Sequence, residues 1–219
     1  MIKNNKIKTI FVTDFNTIDS QTDWIRKSRA NKHDFKIYPA KIIQFDFSRS
    51  RFLKPYHIAP LACVIHEYIE RGFKIQLINI PNALKEYFEN FNFNQFCNKS
   101  DSNNSPNPLD FKTLPLWRID RTGINLYPKL AQEYFERNHF KGKDLFILSN
   151  SLAELMNNAF DHSLSKIPGY TFTQLTSRNN QIITCLCDFG KGIQKNVNDY
   201  LRKNDEPFLE SDLALKKAL

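Results

Sequence analysis

Residues 144–163 read DLFILSNSLAELMNNAFDHS, and residues 181–193 read QIITCLCDFGKGI. At about 100° per residue, Leu148, Leu152, Leu155 and Ala159 fall within a stripe of about 60° on a helix, and Met156 widens it. Glu154, Asn158 and Asp161 lie within about 60° of one another on a different face. A helix with one apolar stripe therefore presents a carboxylate, an amide and a second carboxylate in one line. The second stretch is a β-branched, apolar run, Gln181–Cys187, that delivers Asp188 into Phe189-Gly190-Lys191-Gly192-Ile193. Glycines two apart allow a sharp turn and the close approach of a ligand. Tight turns make the same demand everywhere, so the signal is the pairing of this turn with the helix about 25 residues before it.

Working outward, Leu114–Ile119 reads as a short extended piece and Pro128–Asn138 as a helix with Leu130, Ala131, Tyr134 and Phe135 on one side. After Ile193 a helix is expected over Gln194–Lys203, then a turn, NDEPFLESD, then a helical start at Ser211. Upstream, residues 98–108 (NKSDSNNSPNP) contain no apolar side chain except two prolines, and such a run cannot offset its own ordering entropy. The expected organisation is therefore a unit over residues 1–97, a linker over 98–110 and a second unit over 111–219.

In the first unit the N-terminal MIKNNKIKTIFV reads as a first strand, since it lacks the apolar length and cleavage site of a signal peptide. Lys41–Phe47 (KIIQFDF) is a second β-type run. A helix is expected from near Ile58, with Ile58, Leu61, Ala62, Ile65, Tyr68 and Ile69 on one face and Gly72 as its stop. Lys74–Ile80 is a third strand and Ala83–Phe91 another helix. Strand, helix, strand, helix implies a parallel crossover and an α/β layer.

The chain has 219 residues, 41% of them hydrophobic and 25% charged, which is the composition of a globular protein with a core. No run approaches the roughly 18–20 apolar residues that span a bilayer. Cys63, Cys97, Cys185 and Cys187 form no CxxC pair or zinc pattern, so they read as reduced thiols in a cytoplasmic protein. His33, His57, His66 and His139 show no partner at ligand or triad spacing and read as structural or exposed. The net charge is +8. Residues 26–54 hold nine Lys/Arg against Asp34 and Asp46, so nearly all of the excess sits there. Such a cluster attracts phosphates, nucleic acid or an acidic partner, and is also what a solvated basic face looks like.

The helix and turn together resemble the GHKL superfamily of gyrase, the heat-shock chaperone, histidine kinases and MutL. Ser149–Ser163 matches its N box and Asp188–Ile193 its first glycine box. The ELMNNAFDHS form, joined to an N-terminal module of STAS-like pattern, resembles the anti-sigma-factor kinase branch more than sensor histidine kinases. The resemblance implies an ATP site in an incomplete Bergerat-type α/β sandwich. Asn158 would ligate Mg²⁺, and Glu154 would act as the general base. Asp188 would accept from the adenine amino group, with Gly190 and Gly192 forming the turn beside it. Asp161 would support metal or phosphates through water, whereas His162 reads as structural. A hard oxygen ligand with retained waters suits Mg²⁺, and phosphoryl transfer asks mainly for charge neutralisation and positioning.

The family's lid and second glycine box have no counterpart between Ile193 and Leu219, Gly192 being the last glycine. The expectation is a piece of a longer chain that carries the lid, or a binder without one. Residues 37–96 resemble a STAS-like domain, through FDFS, a Phe-containing loop, RGFKIQLIN and the helix after it. Phe52–His57 has no Ser or Thr where that family carries a phosphorylatable serine. The functional expectation is an ATP-binding signalling protein, with ATPase or serine-kinase activity on a protein partner and pairing into a homodimer implied by the branch. The alternatives are a non-catalytic, nucleotide-dependent interaction protein and a nucleic-acid binder using residues 26–54.

Overall fold

The computed structural model describes residues 6–98, 112–162, 164–176 and 178–218. The first half contains β1 (Lys8–Thr13), α1 (Ile18–Ser28), α2 (Asp34–Ile37), β2 (Ile42–Arg49), α3 (Pro55–Glu70), β3 (Lys74–Ile78), α4 (Asn82–Glu89) and α5 (Phe93–Asn98). The second contains β4 (Trp117–Arg118), α6 (Gly123–Asn138), α7 (Phe146–His162), β5 (Tyr170–Thr176), β6 (Gln181–Cys187), α8 (Ile193–Lys203) and α9 (Ser211–Ala218). The fold is mixed α/β. β1, β2 and β3 form a parallel sheet in that order, and β4, β5 and β6 an antiparallel one.

Alternation along the strands sorts side chains between layers. Ile10, Ile43, Phe45 and Phe47 face α3 and are buried. The opposite face of the parallel sheet carries Thr9, Gln44 and Gln76 in one register row, with Gln44 Nε2 donating to Gln76 Oε1 at 3.0 Å. On the antiparallel sheet, Tyr170, Phe172, Cys185 and Cys187 pack with the α3 core, while Leu175, Ile182 and Leu186 pack with Leu152, Met156 and Ala159 of α7. The order of layers is thus parallel sheet, α3, antiparallel sheet, and α6 with α7. A helix between two sheets must be apolar nearly all round. Accordingly, every residue of α3 from His57 to Tyr68 is buried.

Because α3 serves both sheets, the packing runs across the sequence seam. Phe172 of β5 stacks 4.7 Å from Phe91, and Phe96 lies 5.1 Å from Tyr170. Residues 99–110 of the expected linker lie outside the described residues.

Two helices begin earlier than their apolar patterns indicate. α3 starts at Pro55, not near Ile58, because proline suits the first helical position, where no partner awaits its missing N–H. Pro60 then lies inside the helix and leaves the Tyr56 carbonyl without its helical donor. Gln21 Nε2 donates to that oxygen at 2.8 Å, and the Cys185 thiol reaches it at 3.4 Å. α6 starts at Gly123, not Pro128, since Asp120 Oδ1 accepts the Gly123 N–H at 2.7 Å and satisfies an early orphan donor. Among the described residues, no helix is long and apolar enough to cross a membrane.

Candidate functional site

α7 is launched by Asp144, whose Oδ1 accepts the Phe146 N–H at 2.8 Å. Its buried arc holds Ser149, Leu152, Met156 and Ala159. Leu155, expected in that stripe, is 51% exposed, because the arc is centred toward Met156 and Leu155 falls at its edge. Glu154, Asn158 and Asp161 are all exposed. They share one face, and among the described residues none of the three makes a side-chain hydrogen bond or ion pair.

Asp188 sits at the end of β6, half-buried. Its Oδ1 accepts the Gly190 N–H at 2.7 Å, which closes the turn and leaves Oδ2 for another donor. Gly192 caps α8 with φ of 79°, a conformation that a side chain would strain. Lys191 Nζ pairs with Asp199 Oδ2 at 3.2 Å and ties the turn to α8, and that bond holds the Asp199 carboxyl below its usual range. The apolar face of α7 packs on Ile182 and Leu186 of β6, so the helix and the glycine turn belong to adjoining elements. Ser163, the last residue of the matched helix motif, lies outside the described residues, and so does the His162 side chain.

Three contributors carry no sequence signal of their own. Gly169 precedes β5, and a Cβ there would stand 2.9 Å from the Cys187 carbonyl and 3.4 Å from Asp188 Cβ. A side chain at 169 would push on the strand end that carries Asp188. Phe189 packs partly buried against the α3 core, and the Arg29 guanidinium lies 4.3 Å from its ring centre.

Beside the same strand end opens a cleft of about 460 Å³ lined by His66, Glu70, Arg118, Asp120, Lys166 and Gly169. His66 is buried and not without partners: Nδ1 lies 2.6 Å from the Tyr170 hydroxyl and Nε2 3.1 Å from Glu70 Oε1. Burial lowers its pKa against the raising effect of Glu70. His57, near the start of α3, is also buried, and its Nδ1 accepts the Lys54 N–H at 3.1 Å. Burial, with Lys54 nearby, pulls its pKa down to about 4.

The basic residues of 26–54 are partly spoken for. Arg26 and Lys27 pair with Asp23, Arg29 with Glu67, and Arg49 lies over Phe11. The four cysteines are free thiols; burial pushes Cys185 up to about 12 and also raises Cys63 well above the ordinary thiol value. Among the described residues, no three His, Cys, Asp or Glu side chains converge as a metal cluster.

Compared with known proteins, the chain matches no family model, no curated protein and no solved structure.

Proposed function

We propose that this chain is a nucleotide-binding signalling or regulatory protein of GHKL type, taking Mg²⁺-ATP on the exposed face of α7 and in the turn after β6. The observation that carries the reading is Asp188: half-buried at a strand end, with one carboxylate oxygen taken by the Gly190 N–H and the other without a hydrogen bond among the described residues. An exocyclic adenine amine is the donor it suits. On α7, Asn158 would offer a hard oxygen to Mg²⁺, an ion that keeps most of its waters and is held by few protein ligands. Glu154, one turn earlier, would take a proton from an attacking water or hydroxyl. Asp161 extends the same line toward metal-bound water. On this reading residues 111–219 are the ATPase-like unit of an incomplete Bergerat sandwich and residues 1–97 a STAS-like unit. The chain is cytoplasmic and works on a protein partner, with kinase or ATPase turnover dependent on a lid.

Calorimetric titration of Mg²⁺-ATP and ADP into the full chain tests this. Asp188→Asn is expected to abolish the heat, and Asn158→Ala to weaken binding only when Mg²⁺ is present. Absence of heat in the wild type, or wild-type affinity in Asp188→Asn, refutes the site.

A second reading, a non-catalytic module whose partner binding depends on nucleotide, is favoured by the absence of Ser and Thr from Phe52–His57. Partner capture that ignores nucleotide would refute it. Nucleic-acid binding through 26–54 ranks below both, because acidic neighbours already neutralise several of its charges.

A further inference from the structure

Arg29 and Phe189 lie far apart in sequence and meet only through the fold. Arg29 ends α1, and its guanidinium is aimed by Glu67 of α3: Nη2 to Oε1 at 2.9 Å and Nε to Oε2 at 3.4 Å. Glu67 is itself well fixed, with its side chain only 10% exposed and its Oε2 accepting the Ala30 N–H at 2.9 Å. A two-point carboxylate contact holds the planar guanidinium in one orientation, which a lysine cannot reproduce. So aimed, the cation sits 4.3 Å from the Phe189 ring centre. Phe189 is the residue between Asp188 and Gly190, the two that close the turn through their 2.7 Å hydrogen bond. The ring therefore anchors the turn to the first half of the chain, and Gly169 crowds the same strand end.

We propose that Arg29, held by Glu67, is a positioning residue for the Asp188–Gly192 turn, so that the α1–α3 unit sets nucleotide affinity and base selectivity through its contact with Phe189. The inference rests on the nucleotide reading above. Coupling of this kind is reciprocal: whatever shifts Arg29 changes nucleotide binding, and nucleotide in the turn stabilises the Arg29 contact. A partner docking on α1 would thus be sensed at Asp188, and nucleotide would be sensed at α1.

The test has two arms on the full chain, comparing wild type with Arg29→Ala, Arg29→Lys, Glu67→Gln and an exposed control on the same helix, Arg26→Ala. In the first arm, Mg²⁺-ATP and Mg²⁺-GTP are titrated. A cation over a ring at a partly exposed site is worth enough that Arg29→Ala should weaken ATP roughly three- to tenfold. The ATP-over-GTP preference should fall with it, which a general loss of stability would not cause. Arg29→Lys and Glu67→Gln should fall between, and Arg26→Ala should match wild type. In the second arm, amide exchange is followed in the ligand-free chain, where Arg29→Ala should speed exchange at Gly190 while leaving β2 unchanged. Wild-type affinity, preference and exchange in Arg29→Ala overturn the proposal. Absence of nucleotide heat in wild type sinks the nucleotide reading instead, and the exchange arm then still decides whether Arg29 holds the turn.

Discussion

Replacing Phe172 by alanine tests whether the two halves are one cooperative structure. The ring is fully buried in β5, 4.7 Å from Phe91 and 6.4 Å from Tyr87, both from the first half. Truncating a buried phenylalanine costs about 3–5 kcal/mol, from lost transfer free energy and the cavity left behind. The cavity would open between β5 and the segment after α4, so both halves lose packing atoms. With a urea dependence of about 2 kcal/mol/M, the unfolding midpoint should fall by about 1.5–2.5 M. Hydrogen exchange read by mass spectrometry at increasing urea is the assay, with peptides from β2 and β5 followed separately. The expected result is that both strands lose protection by the same free energy. A variant in which β5 opens early while β2 keeps its wild-type protection would show that α3 does not join the sheets energetically, and the reasoning fails.

Two further outcomes follow from the same packing. Gly169→Ala places a methyl group 2.9 Å from the Cys187 carbonyl, which is backbone and cannot swing away; melting should reveal a loss of about 1–3 kcal/mol, and nucleotide titration a weakened site. His57 gives the stability a pH dependence. Its folded pKa, near 4, lies below the ordinary value of 6.5, so between those values the unfolded chain binds the proton and the folded chain does not. Stability should therefore fall as the pH drops below 6.5, by about 2 kcal/mol at pH 5 from this group alone. His66 is shifted in the same direction and adds to the slope. Chemical denaturation at pH 7 and pH 5 checks this: His57→Asn should flatten the difference, and an unchanged difference would refute the assignment.

Much of the arrangement was legible because particular segments carry a strong period. β6 runs over Gln181–Cys187 as its apolar composition indicates, and the polar line of Glu154, Asn158 and Asp161 lies on one exposed face of α7. β5 was not legible. In YTFTQLT polar threonines alternate with other residues, yet Thr171 and Thr173 are fully buried, and Tyr127 donates to Thr173 Oγ1 at 2.8 Å. Tertiary partners supply what composition cannot show. α1 carries little apolar period because its apolar residues are sparse. Its local signal was the capping box, with Thr17 Oγ1 accepting the Ser20 N–H at 3.1 Å and Ser20 Oγ accepting the Thr17 N–H at 3.2 Å. The supports of the candidate site, Arg29 and Gly169, act through space and have no spacing to read.

Apolar side chains tell a buried helix where its neighbours are, but they tolerate sliding along its axis, since one methyl group replaces another at little cost. Pro60 removes that tolerance from α3. By withholding an N–H it leaves the Tyr56 carbonyl open, and the two groups that reach it come from opposite flanks, Gln21 of α1 and Cys185 of β6. A displacement of α3 by one turn would break both contacts at once and leave that acceptor to find other partners. The proline thereby works as an axial stop. It holds the shared helix at one longitudinal setting, and with it the relative height of the parallel sheet and the strand that ends in Asp188.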